Sequence, residues 1–278
     1  MFSSAGPPVN DFIKKHPALA LFLVALMFGP ALVAPVLAGW LSPKFLQLGA
    51  LSASLAGFVL AAIEGGKPSV RELLSRARIW KVGARWWLAA LLLPLAPTIG
   101  AIYLAAAYTN VPVNLSTVGP WYSVIPSLLI LITFAGLGEE FGWRGFALPR
   151  LRPRHSALTS TLIIGGFHAM WHFPLFLIQG EVYHGYAEQL GLLPAFFGYA
   201  IFVIALAFQL SWIFLNTGGS VLMAAVYHGA CNAWAAYLAV DRNGVAAAFA
   251  LVATNVALSI VLVVFAGPQT FVRNRRTR

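Results

Sequence analysis

Apolar runs of about 20 residues recur along this chain, the length a helix needs to cross the hydrocarbon core of a bilayer. Eight can be marked, at residues 17–41, 46–64, 86–108, 122–138, 156–178, 194–215, 219–239 and 244–266. In hydrocarbon each backbone N–H and C=O must find its partner within the protein, which restricts runs of this length to helices. The balance of residue types agrees. The chain is 60% hydrophobic and 9% charged, whereas a soluble domain carries about 25% charged residues and needs them to cover its surface. The expected fold is an all-α membrane protein, a polytopic bundle of about eight transmembrane helices. With no internal repeat and no separate polar region, residues 1–278 form a single domain.

The formal charge of +10 raises the question of nucleic acid, but the basic residues fall between the apolar runs. Counted from an inside N-terminus, all of the 18 Lys and Arg residues except Lys44 and Arg242 lie in inner segments. They are Lys14 and Lys15, then Lys67, Arg71, Arg76, Arg78, Lys81 and Arg85, then Arg144, Arg150, Arg152 and Arg154, and last Arg273, Arg275, Arg276 and Arg278. The positive-inside rule is met with both ends in the cytoplasm, so the partner is the bilayer rather than nucleic acid. The stretch from Lys67 to Arg85 alternates basic and apolar residues at helical spacing and reads as an amphipathic helix on the inner surface. Lys14 and Lys15 followed by an apolar run resemble a signal peptide, but the run is long enough to span. It is expected to remain as the first helix of an integral, multi-pass protein of the cell (plasma) membrane. Cys231 is the only cysteine, which excludes an intramolecular disulfide and any multi-cysteine zinc site.

Few polar residues remain inside the runs. Glu139 and Glu140 end the fourth, and an acidic side chain at mid-bilayer costs roughly 2.5–3.5 kcal/mol on insertion scales. His168 and His172 lie in the fifth; His228 and Asn232 lie in the seventh. Each of the latter pairs is spaced i, i+4, and so projects from one helical face. Glu140 and Arg144 share that spacing if the helix continues through Phe141-Gly-Trp143. Three helices can therefore present Glu, His, and His plus Asn to one interior space. A carboxylate beside imidazoles can hold and deprotonate a water, and an amide can donate to an oxyanion. The same imidazoles and carboxylate can equally bind zinc with an open position for that water.

Glu139-Glu140-Phe-Gly-Trp-Arg144 resembles the Glu-Glu-x-x-x-Arg motif of the CPBP family of intramembrane proteases. That family includes the type II CAAX prenyl endopeptidases and the bacteriocin-processing (Abi) proteins. His228-Gly-Ala-Cys-Asn232 resembles its His-x-x-x-Asn motif. Trp171-His172-Phe-Pro174 is similar to its second motif, although His168 stands where that motif has an aromatic residue. The three motifs keep the family's order over about a third of the chain. The resemblance implies that Glu140 activates the attacking water with help from Glu139, that His172 and His228 bind a metal or the water, and that Asn232 stabilises the oxyanion. A zinc ion held by Glu140, His172 and His228 is the metal set it suggests; a metal-free glutamate mechanism is the other form. Arg144 is expected to orient a glutamate.

Plainer readings stand beside these. Glu139 and Glu140 at a span end make an interfacial acidic pair with Arg144 as a surface ion pair. His168 is expected to donate to a backbone carbonyl, Asn232 can bridge two helices, and Cys231 is expected to be a packing residue. The expected activity is an intramembrane endopeptidase acting on a membrane-associated peptide or protein, with a lipidated C-terminal peptide as the class the resemblance suggests. The alternatives are a non-catalytic immunity or scaffold protein of the same fold, and a proton-coupled transporter using Glu and His as a relay.

Overall fold

A computed structural model describes residues 8–113, 115 and 118–272. Arg273, Arg275, Arg276 and Arg278, and the side chains of Lys44 and Arg242, lie outside the described residues. Among the described residues the regular structure is helical. After a short α1 (Pro8–Lys15) come α2 (Pro17–Leu37) and α3 (Ser52–Ser75). The next two are long segments, α4 (Ala84–Thr109) and α5 (Trp121–Leu151). They are followed by α6 (Ala157–His172), α7 (Val182–Leu190), α8 (Leu192–Asn216), α9 (Val221–Tyr237) and α10 (Gly244–Ala266). The chain is a polytopic all-α membrane protein.

Every expected apolar run is helical, but the runs are not eight equal spans. Among the described residues six helical segments are long and apolar enough to cross a membrane: Pro17–Leu37, Leu48–Arg78, Ala84–Thr109, Trp121–Leu151, Leu192–Asn216 and Gly244–Ala266. Ala157–Leu177 with Val182–Leu190, bent by 82°, makes a seventh if the pair is taken as one span. The remaining run is α9, 17 residues long and buried over most of its length. It needs little lipid-facing surface because α4, α5 and α8 pack around it.

Two expected boundaries move. Helix α3 continues past residue 64, broken at Gly65 and Gly66, where Gly66 takes the left-handed φ of 64° that a side chain disfavours. The Lys67–Arg85 stretch is thus helical only as far as Arg78 and leaves α3 at an angle. Lys67, Arg71, Arg78, Lys81 and Arg85 of this stretch are exposed. Helix α5 does not end at residue 138 but carries on to Leu151, so Glu140 lies about 16 Å from that end at 1.5 Å per residue.

The ends of the helices explain how the chain closes. Arg150 near the end of α5 pairs with Glu64 at the break in α3, donates to the Phe146 carbonyl at 2.9 Å, and lies over the Phe146 ring. Ser220 at the start of α9 donates to Ile79 O at 2.7 Å, and the backbone N–H of Ala157 bonds to Gln269 O at 2.9 Å. These contacts gather the segments around residues 64–85, 144–157, 216–220 and 267–271 at one end of the bundle.

Helix α5 is the axis of the site, and small residues set how closely its neighbours approach. A methyl on Gly142 would run into the backbone of Ala53 on α3, and one on Gly229 of α9 would come 2.5 Å from the Ile132 nitrogen of α5. Contacts this close are the usual means of helix association where lipid supplies no hydrophobic drive. The small face of the second run, Ser52, Ser54 and Gly57, is buried against the same helix, with Ser54 Oγ donating to Leu137 O at 2.8 Å.

Candidate active site

Helix α5 carries the glutamates on an irregular backbone. It is α-helical at Val124–Leu131, π-helical at Ile132–Leu137, α-helical for Gly138–Glu140, and π-helical again at Phe141–Ala147. Widened π turns inside a helix occur most often at functional sites. Here they bracket the two carboxylates, and adjacent positions on a helix point about 100° apart. Glu139 and Glu140 consequently meet different partners.

Glu140 faces α9. Its Oε1 accepts from Arg144 Nη1 at 3.0 Å and lies 2.8 Å from His228 Nδ1. Glu140 and Arg144 are both 0% exposed, so the interfacial reading of this pair does not hold. The guanidinium also reaches Ala207 O of α8 at 3.4 Å. Glu140 Oε2 and Arg144 Nε have no partner among the described residues.

Glu139 faces α6. Its Oε2 lies 2.7 Å from His168 Nε2. His172 is one turn on, and its Nδ1 donates to the His168 carbonyl at 2.9 Å, which orients the ring. The sequence expectation is thus exchanged between the two histidines, since the backbone carbonyl is taken by His172 and not by His168. Sequence reasoning passed over His168 because its place is aromatic in the resembled motif; its i, i+4 spacing from His172 was the available signal. His168 packs against the buried Trp143 ring at 5.0 Å, the His172 ring at 4.9 Å and the His228 ring at 6.2 Å, and so stands at the centre of the cluster.

One ligand atom from each of Glu139, His168 and His172 lies within 4.8 Å of the others, a possible metal-binding group. The expected metal set of Glu140, His172 and His228 is not the one brought together in this way, because Arg144 and His228 already occupy Glu140 Oε1. The chemistry of the donors fits a metal. His172 is held through Nδ1 with its other nitrogen free, the usual support for a ligating imidazole. His168 Nδ1 is buried without a partner among the described residues.

Asn232 lies one turn beyond His228 on α9 and opens onto a cavity of about 570 Å³. The cavity runs between α5, α7, α8, α9 and α10 and is mostly apolar, lined among others by Leu131, Gly198, Tyr199, Phe202, Ala236 and Phe249. Its border with the histidines is Tyr199, whose ring is 5.3 Å from that of His172 and whose hydroxyl is 3.4 Å from that of Tyr183. Glu139, Glu140, Arg144, His172 and His228 thus share one buried cluster with His168, and Asn232 faces the adjoining space.

Residues 120–234, which contain all three motifs, match the family model described as type II CAAX prenyl endopeptidase Rce1-like. Over these residues the chain is similar to the CPBP family. The protein named CAAX prenyl protease 2 of Methanococcus maripaludis is 26% identical over 118 residues, which cover 42% of this chain and 42% of that protein. The matched part therefore spans under half the length of this curated relative. The matched region begins beside α5 and stops within α9, so α2 to α4 and α10 lie outside it.

Proposed function

We propose that this protein is a CPBP-type intramembrane endopeptidase that hydrolyses a peptide bond of a membrane-associated substrate. The observation that carries the reading is the Glu139–His168 contact at 2.7 Å with His172 beside it, buried in a bundle of apolar helices and next to an apolar cavity. The family match over residues 120–234 supports the same activity.

The geometry favours Glu139 as the group that takes a proton from the attacking water, with His168 and His172 holding that water. Glu140 is tied to Arg144 and His228 through Oε1, which fixes α9 against α5, whereas Glu139 has two imidazoles beside it. Asn232 then offers its amide to the oxyanion that forms as the water adds to the substrate carbonyl. The leaving amine needs a proton in return, and the protonated Glu139 is placed to give it back. A zinc ion held by Glu139, His168 and His172 is the other form of this site; it would supply Lewis-acid polarisation of the carbonyl and a more acidic water, and Glu139 would then serve as a ligand rather than as the base. The cavity accepts an apolar side chain or lipid-like group next to the scissile bond, consistent with the lipidated peptide class.

The test is cleavage of a membrane-inserted reporter peptide by Glu139→Gln and Glu140→Gln proteins reconstituted in vesicles. Loss of general-base help lowers turnover by about 10²–10⁴-fold, and Glu139→Gln is expected to show this while still folding and inserting. Full cleavage by Glu139→Gln rejects the mechanism. Glutamate-independent biological activity in cells favours the scaffold alternative, and flux driven by a pH gradient favours the transporter.

A further inference from the structure

A second polar cluster is buried where the matched region meets the helix outside it. Gln209 of α8 is 0% exposed. Its Oε1 accepts from the Tyr227 hydroxyl of α9 at 2.6 Å. Its Nε2 lies 3.1 Å from Asn255 Oδ1, 3.2 Å from Asn255 O and 3.1 Å from Ser259 Oγ, all on α10. Ser259 donates back to Ala205 O of α8 at 2.7 Å, and Asn255 Nδ2 to Leu251 O at 2.9 Å. One amide therefore joins three helices.

The surroundings show what this joint controls. Tyr227 immediately precedes His228, so the two side chains leave α9 about 100° apart. Tyr227 is turned toward α8, while His228 is turned toward α5 and Glu140. A helix in lipid gains little from hydrophobic contact with its neighbours, and its rotation is set by packing and by interhelical hydrogen bonds. Two positions before Gln209, Ala207 O accepts from Arg144. Helix α8 thus holds both partners of Glu140: Arg144 directly and His228 through Tyr227.

We infer that Gln209 is a positioning residue of the proposed peptidase, the amide of which fixes the rotation of α9 that keeps His228 on Glu140. The inference rests on the reading given above for the site. Only an amide suits the place. It accepts from a phenol at one end and at the other directs two N–H donors among three oxygens, whereas a carboxylate would face the lone pairs of Asn255. Leucine would leave the Tyr227 hydroxyl and Asn255 Oδ1 without partners in a dry interior, and such orphaned groups drive rearrangement.

The experiment compares Gln209→Leu, Tyr227→Phe, the double variant, and Thr254→Val as a control. Thr254 pins α10 to α4 through a hydroxyl 2.9 Å from Pro97 O and does not touch α9. Two quantities are read: kcat and KM for the reporter peptide, and the ring-nitrogen NMR signals of His228 in histidine-labelled protein. Gln209→Leu and Tyr227→Phe are each expected to lower kcat about tenfold with KM nearly unchanged, the pattern of lost transition-state support. Both also move the His228 signals, and the double variant falls no further than the worse single one, because one linkage is broken in each case. Thr254→Val keeps wild-type kcat and wild-type signals. Gln209→Leu with a lowered melting temperature but unchanged kcat and His228 signals overturns the inference. Tyr227→Phe, which removes a single oxygen, decides the matter if Gln209→Leu does not fold. Should the wild-type protein cleave nothing, the peptidase reading fails, while the His228 signals still show whether Gln209 positions that ring.

Discussion

Replacing Arg144 by methionine tests whether the centre of this protein is held by charge. The guanidinium lies 3.0 Å from Glu140 Oε1, and both side chains are wholly buried. At an effective dielectric constant of 20, two unit charges at that distance attract by about 5–6 kcal/mol. Methionine fills much of the same volume, so the cavity left behind is small and the electrical consequence dominates. Glu140 would keep only His228, and stranding one member of a buried pair costs about 3–5 kcal/mol. Against a total stability of about 5–15 kcal/mol this is a large fraction. Glu140→Leu strands Arg144 in the same way. The double variant strands neither, and buried pairs replaced together by apolar residues are often close to neutral. Equilibrium unfolding in mixed micelles, followed by tryptophan fluorescence, measures all three. The expected coupling between the two sites is about 3 kcal/mol, in the range seen for residues in direct contact. Additive losses, with coupling below about 0.5 kcal/mol as for independent sites, would falsify the claim that the pair acts as a unit.

Three further perturbations address packing, metal and substrate. Gly142→Ala pushes a methyl into the Ala53 backbone and is expected to destabilise by about 1–3 kcal/mol; stability equal to wild type in the same micelle assay would show that α3 and α5 do not need that approach. Elemental analysis of purified protein separates the two forms of the site: about one zinc per chain, lost in the His168→Ala, His172→Ala double variant, marks the metal form, and no zinc marks the glutamate form. Equal zinc in both proteins removes this cluster as the holder. Gly198→Leu narrows the cavity beside Asn232 and is expected to raise KM about tenfold for a peptide with a bulky apolar residue at the cleavage site. A peptide with alanine there should be little affected; an equal change for both peptides means the cavity does not receive that residue.

Much of this arrangement was readable from one-dimensional pattern. Apolar run length marked the helices because lipid leaves the backbone no other solution. The i, i+4 spacing of Glu140 with Arg144 anticipated their contact at 3.0 Å. What pattern could not show was rotation. The partner of each glutamate depends on two π turns, and no run of hydrophobicity distinguishes a π turn from an α turn. For the same reason His168 read as a backbone-bonded residue, whereas its Nε2 meets Glu139 Oε2 at 2.7 Å. The end of α5 was misplaced because Gly142, Trp143, Arg144 and Gly145 look like a loop. They are buried, with the arginine neutralised by Glu140 and the glycines needed for contact. Gln209 gave no signal, since a single glutamine in an apolar run gains meaning only when α9 and α10 are seen beside it.

The interrupted backbone of α5 has a mechanical side. An unbroken α-helix across a bilayer behaves as a stiff rod, and a load at one end is felt at the other. This helix has a widened turn above the carboxylates and another below them, with one α turn between. Its lower end is clamped by Arg150 to Glu64, and the widened turns are themselves gripped at Gly142 and Ile132. A load from either end therefore meets a held turn before it reaches Gly138–Glu140, the one stretch of backbone that carries both carboxylates.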